Sequence, residues 1–112
     1  MQVSVKTEAE FCVVGLREQR IDAAVALDFK ETMRQAAQEG GENIILDLSE
    51  VTFIDSSGLG AIVATMKFLA PDRSLILAGM TAPVDRVFKL TRMDSVFAIF
   101  PTLAAALSGQ HA

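Results

Sequence analysis

The eight residues from Phe53 to Gly60, FIDSSGLG, place a carboxylate, two hydroxyl groups and two glycines in a short stretch of chain. Asp55, Ser56 or Ser57 can each cap a helix by accepting a hydrogen bond from a backbone N–H group. A cap needs only one of these side chains, and each glycine costs a helix about 1 kcal/mol relative to alanine. The segment therefore indicates a chemical role beyond the initiation of a helix.

Hydrolytic catalysis by these serines is not expected. A nucleophile elbow centred on Ser56 needs glycine at position 54, where Ile54 stands. The sole histidine, His111, is the penultimate residue, so no base is available for a Ser-His-Asp arrangement. No G-K-S or G-K-T follows the glycines, and no Cys, His and carboxylate cluster has metal-ligand spacing. We expect no enzymatic activity, no catalytic residue, no metal ligand and no cofactor.

Phosphorylation is a reaction that a serine in this segment can undergo. The apolar pattern predicts a helix over Ser57–Leu69, so a phosphate at its start would meet unpaired N–H groups and the positive end of the helix dipole. Because Gly58 and Gly60 lack side chains, the active site of a modifying enzyme could approach a serine hydroxyl closely. Tight packing of either glycine against the sheet is the alternative explanation.

The composition predicts one domain over residues 1–112, since 51% of the residues are hydrophobic and supply enough apolar material for a single core. We expect residues 2–108 to be ordered and the tail beyond Ser108 to fray. A net charge of −4 with dispersed lysines and arginines argues against direct nucleic-acid binding. No apolar run approaches the roughly 18 residues of a membrane span, and no export signal is visible, so a cytoplasmic protein without membrane insertion is expected.

Hydrophobic periodicity predicts that strands and helices alternate along most of the chain. The expected strands cover residues 2–7, 11–15, 43–48, 74–78 and 96–99, and the expected helices cover residues 22–38, 57–69, 81–90 and 102–107. Asp22 is the expected N-cap of the first helix. This order favours an α/β fold with a mixed, mostly parallel sheet flanked by about four helices, and with functional groups at the carboxyl ends of strands.

The helix after Ser57 is apolar on almost every side. Between Gly58 and Leu69 its only polar side chains are Thr65 and Lys67. Such a helix is either deeply buried, here beneath the third helix, or partly covered by a partner. Both alternatives are open from the sequence.

The sequence resembles the STAS domains, and most closely the stand-alone bacterial members that antagonise anti-sigma factors. The resemblance runs from Val3 to about Leu107. Its most specific element is NIILDLSEVTFIDSSGLGAIV, which matches the family's strand, loop and D-S-S-G-L-G signature. RIDA at Arg20–Ala23 and FKLTRMDSVFAIFPTLAAAL at residues 88–107 support it. The resemblance implies a single STAS-type domain with a mixed sheet and four helices.

The resemblance also implies a phosphorylation switch at Ser56, the first serine after Asp55. In the family, an anti-sigma factor with serine kinase activity and a Bergerat-type ATPase fold binds the unphosphorylated antagonist, which frees the sigma factor. The kinase then uses its own bound ATP to phosphorylate the antagonist and end the binding, and a phosphatase is the expected reset. Asp22 matches the family's acidic residue before the first helix. The implied partner-binding residues are Asp22, Asp55, Ser56, Ser57, Gly58 and Leu59.

Two positions depart from the family pattern. Gln19 stands where glycine is frequent, and Arg92 stands where glycine often follows the threonine; both bear on loop shape. Other roles of STAS domains are also open, because the signature occurs at the cytoplasmic ends of anion transporters and in a small subunit of lipid-transport ABC systems. The second role would make the chain a structural or regulatory component. The full signature, without a membrane domain in the sequence, favours the switch.

Overall fold

Strands and helices alternate along residues 1–109, the part of the chain that the computed structural model describes. The strands are β1 (Val3–Glu8), β2 (Phe11–Leu16), β3 (Arg20–Ile21), β4 (Asn43–Asp47), β5 (Phe53–Ile54), β6 (Leu75–Ala78) and β7 (Ala98–Phe100). The helices are α1 (Ala26–Gln38), α2 (Ser56–Leu69), α3 (Ala82–Leu90) and α4 (Leu103–Leu107), with a 3₁₀ turn over Met93–Ser95. The predicted fraying concerns residues 109–112, of which residues 110–112, with His111, lie outside the described part.

The main sheet has five strands in the order β1-β2-β4-β6-β7. The strand β1 runs antiparallel to β2, and the other neighbours pair in parallel. The short strands β3 and β5 form a separate parallel pair. The prediction of a mixed, mostly parallel sheet with four helices is therefore confirmed.

The central strand β4 is buried on both faces, as its continuous apolar run predicts. Ile44 and Leu46 face the larger core, which also contains Phe29 of α1, Ile62 of α2 and Phe88 of α3. Ile45 faces the smaller core, which Ala106 of α4 covers from the other side. Three helices thus pack on one face of the sheet, and the fourth packs on the opposite face.

The helix α2 packs chiefly against α1, so of the two alternatives that the sequence leaves open, burial beneath the third helix is wrong. The parallel order of the strands places α1 and α2 side by side on one face of the sheet. The buried side of α2 consists of Gly58, Ala61, Ile62, Thr65 and Leu69. The opposite side carries exposed residues, among them Phe68.

The prediction that Asp22 caps the first helix is also wrong. The helix α1 begins at Ala26, and residues 22–25 form a turn in which the N–H group of Val25 donates to the Asp22 carbonyl over 3.1 Å. The Asp22 carboxylate accepts the N–H group of Ala24 at 3.1 Å within this turn. Asp22 therefore stabilises the loop that leads into α1 rather than the helix itself.

Two other boundaries depend on contacts between distant residues. At the end of α1, the Arg73 guanidinium donates to the carbonyl groups of Ala37 and Gly40 at 2.9 and 2.7 Å, which satisfies acceptors that a helix end leaves open. The last strand begins at Ala98 rather than at residue 96. Just before it, the buried Phe97 ring packs edge-on against the Phe88 ring, with 5.9 Å between the ring centres.

The two departures from the family pattern differ in backbone conformation. Arg92 has φ 61° and ψ 19°, the left-handed region that favours glycine. Gln19 does not have a positive φ, and its carbonyl accepts the N–H groups of Thr52 and Phe53 at 2.8 and 3.1 Å. Of these two residues, Arg92 is therefore the one that carries a conformational cost.

The variant Arg92→Gly is expected to raise the free energy of unfolding by up to about 1 kcal/mol, because glycine adopts the left-handed conformation without a Cβ clash. Arg86→Gly, at an exposed position of α3, is the control and should lower it by about 1 kcal/mol. Urea unfolding measures both changes. An Arg92→Gly protein no more stable than the wild type would contradict this prediction.

Candidate functional site

Two loops meet at the amino-terminal ends of α1 and α2. The strands β3 and β5 pair in parallel, with Arg20 opposite Phe53 and Ile21 opposite Ile54. Each strand runs directly into a loop that precedes a helix, so the FIDSSGLG segment emerges beside residues 22–25. The segment thus lies at the carboxyl end of parallel strands, as the sequence predicts.

The Asp55 carboxylate connects these two loops. Its Oδ1 atom accepts the N–H group of Gly58 at 2.9 Å and so caps α2. Its Oδ2 atom accepts the N–H group of Ala23 at 3.2 Å. The prediction that a polar residue of this segment caps the helix is confirmed, and Asp55 is that residue. The bond to Ala23 joins residues 32 positions apart, and local sequence carries no signal for it.

Ser56 and Ser57 are the first two residues of α2, and both are exposed. Neither hydroxyl hydrogen-bonds to another residue within 1–109. A cavity of about 400 Å³ opens beside the two serines and extends along α1 past Ala23 to Lys30. The hydroxyl groups are therefore accessible to a second molecule and are not needed to hold the loop.

The other predicted site residues differ in position. Asp22 is partly exposed, in the turn that binds Asp55. Leu59 is half-buried and packs against the larger core. Gly58 is buried, and a Cβ atom built on it would overlap the carbonyl oxygen of Ile21. Close packing explains Gly58, whereas a Cβ atom on Gly60 would meet open space.

Arg20 shapes the charge at this end of the molecule. Its guanidinium lies over the Phe53 ring, 4.0 Å from the ring centre, and its Nε atom donates to the Asp22 carboxylate at 3.2 Å. This hydrogen bond holds the pKa of Asp22 below its usual range, against the smaller opposing effect of burial. Arg20 and Phe53 were not predicted as site residues, because a two-residue strand shows no periodicity.

Among residues 1–109, no group of three or more His, Cys, Asp or Glu side chains is placed to hold a metal ion. No helix in the same part of the chain has the length and apolar character needed to cross a membrane.

The family model of the STAS domain matches residues 2–106. Over 97 residues, the chain is 26% identical to the anti-sigma-B factor antagonist of Staphylococcus aureus, covering 86% of this chain and 89% of that protein. It superposes with a TM-score of 0.88 on an anti-sigma-factor antagonist (STAS) domain protein from Planctomyces limnophilus, at 23% identity and 98% coverage of both chains. For the phosphorylated form of Bacillus SpoIIAA the TM-score is 0.69, at 21% identity, with 96% of this chain and 97% of that chain covered.

The two glycines of the segment should respond in opposite ways to alanine. Gly58→Ala should lower the free energy of unfolding by about 2 to 3 kcal/mol, because the new methyl group collides with the Ile21 backbone. Gly60→Ala should raise it by up to about 1 kcal/mol, because alanine is the better helix former and the position is open. Thermal unfolding of the matched pair tests this, and equal effects would contradict the close approach of α2 to β3.

Proposed function

The chain belongs to the STAS domain family, and we propose that it is an anti-sigma factor antagonist that a partner kinase switches off by phosphorylating Ser56. The observation that carries this proposal is the Ser56 hydroxyl, which is exposed at the first position of α2 and makes no hydrogen bond within residues 1–109. The chain supplies an acceptor for a phosphate, and the partner supplies the catalytic groups and the bound ATP.

The start of α2 can accommodate a phosphate without loss of the fold. The Asp55 carboxylate accepts the N–H group of Gly58. The N–H groups of Ser56 and Ser57 lie before the first hydrogen bond of the helix, and neither has an acceptor within residues 1–109. Backbone donors and the helix dipole at such an end stabilise a phosphate. The modified chain is therefore expected to keep its structure while its surface charge changes.

The added charge explains how the switch would work. A phosphate carries about −1.5 to −2 charges and would stand beside the Asp55 carboxylate. A partner surface that fits a neutral hydroxyl then meets like-charge repulsion and a cost of desolvation. In this proposal the unphosphorylated chain binds the anti-sigma factor and frees the sigma factor, phosphorylation ends the binding, and a phosphatase restores it.

The partner would contact both loops of the site. Asp22, Ser56 and Ser57 offer exposed or partly exposed polar groups, and the half-buried Leu59 offers an apolar edge. Asp55 positions these groups, and Gly58 allows α2 to approach β3 closely enough for the two loops to form one surface. In this role the chain is a binding protein rather than an enzyme, without a cofactor of its own, and it acts in the cytoplasm.

Similar proteins support the proposal. The Staphylococcus aureus relative is named an anti-sigma-B factor antagonist, and the match covers most of both chains. Bacillus SpoIIAA, which shares the fold, has a structure in its phosphorylated form. That likeness concerns the fold. The choice of Ser56 over Ser57, which is equally exposed, rests on the match of Ser56 to the first serine of the family's D-S-S-G-L-G signature.

The proposal predicts a single phosphate on Ser56 when the purified chain is incubated with ATP and the anti-sigma factor kinase of its own organism. Ser57→Ala is the matched control, since Ser57 is the exposed neighbour in the same helical turn, and it should be phosphorylated like the wild type. Ser56→Ala should accept no phosphate. Mass spectrometry locates the group; phosphate on Ser57, or phosphorylation that survives Ser56→Ala, would contradict the assignment.

A further inference from the structure

A groove between α1 and α2 continues from the two serines along the surface. The cavity of about 400 Å³ beside Ser57 is followed by a second cavity of about 210 Å³ that Met33, Ala64 and Phe68 line. Lys30 lines both cavities and joins them. At about 1.5 Å per residue, the stretch of α2 from Ser57 to Phe68 spans about 16 Å, or three helical turns. We call this surface the α1–α2 groove.

The floor of the groove is apolar. Met33 and Thr65 are buried there, and the Thr65 hydroxyl donates to the Ala61 carbonyl at 2.9 Å, so it offers no open polar group. At the two ends, Leu27 is 75% exposed and Phe68 is 51% exposed. Together with the apolar floor, these two side chains make the groove apolar from one end to the other, as in a surface that a partner covers.

The unpaired charges on α1 and α2 are positive, although the whole chain has a net charge of −4, and Lys30 is the one that lines the groove. Of the four charged residues in α1, Asp28 pairs with the amino terminus of Met1, and Glu31 pairs with Arg34. Lys30 is left without an ion-pair partner in the described part of the chain. The only charged residue of α2 is Lys67, which is likewise unpaired within residues 1–109. Both unpaired charges on the two helices are therefore cations.

We propose that the α1–α2 groove binds an acidic amphipathic helix, about three turns long, that belongs to the anti-sigma factor. Apolar side chains on one face of that helix fill the cavity over Met33 and Phe68, and a carboxylate pairs with Lys30. This is the helix-in-groove mode of recognition. The inference rests on the proposed function, because Lys30 shares a cavity with Ser56 and a partner that reaches the serine also reaches the groove.

The test measures the affinity of the purified anti-sigma factor for the wild type and for groove variants by titration calorimetry. Phe68→Ser and Lys30→Glu should each bind at least about 10-fold more weakly, because the first removes an apolar anchor and the second reverses the charge that pairs with the helix. Lys30→Arg keeps the charge and should bind within about 3-fold of the wild type. Leu90→Ser and Arg86→Glu are the controls, because both positions are exposed on α3 away from the groove, and they should leave the affinity unchanged.

The outcomes separate the two claims. If the wild type binds the anti-sigma factor and the groove variants bind like the α3 controls, the groove proposal is wrong and the proposed function stands. If Lys30→Arg and Lys30→Glu weaken the affinity equally, the partner does not recognise the charge of Lys30. That result would contradict an acidic helix and would overturn the proposal. If the wild type itself does not bind, the proposed function fails and the groove proposal fails with it. Thermal unfolding of each variant shows whether a loss of affinity reflects a loss of fold.

Discussion

The Asp55 carboxylate holds the two loops of the site together, and the arrangement of the surface depends on it. One oxygen caps α2 through Gly58, and the other binds the loop before α1 through Ala23. The buried Gly58 lets α2 approach the backbone of Ile21, which no residue with a side chain would allow without a shift. Together these contacts fix the start of both helices relative to each other. The exposed serines and the groove between the helices follow from that geometry.

The charged side chains around the start of α2 already have hydrogen-bond partners within the chain. Asp55 is bound by two backbone N–H groups, and Asp22 is bound by Arg20, which itself lies over Phe53. The serine hydroxyls are the groups that remain open. A phosphate there would add negative charge beside the Asp55 carboxylate, while the backbone N–H donors of the helix end would stabilise it. The same modification can thus leave the fold intact and change what the surface binds.

Much of the fold follows from local sequence, because hydrophobic periodicity is a local property. The run NIILD predicts a central strand, and the helices expected over residues 81–90 and 102–107 match α3 and α4 to within one residue. The errors arise where distant residues decide. Asp22 looks like an N-cap, but the turn it forms is held by Asp55, 33 positions away in sequence (55 − 22). The position of α2 beside α1 depends on strand order, and strand β3 is too short to show a pattern.

Within the candidate site, Asp55 and the serines are visible as a motif, whereas the bond to Ala23 and the place of Arg20 are not.

The most direct test of this account is the affinity of the anti-sigma factor for the chain phosphorylated at Ser56 and for the unmodified chain, measured side by side by calorimetry. The account predicts that phosphorylation weakens binding by about 30-fold to 1000-fold, which corresponds to roughly 2 to 4 kcal/mol, with little change in thermal stability. Equal affinity of the two forms, or a weaker affinity that results from unfolding of the phosphorylated chain, would contradict it.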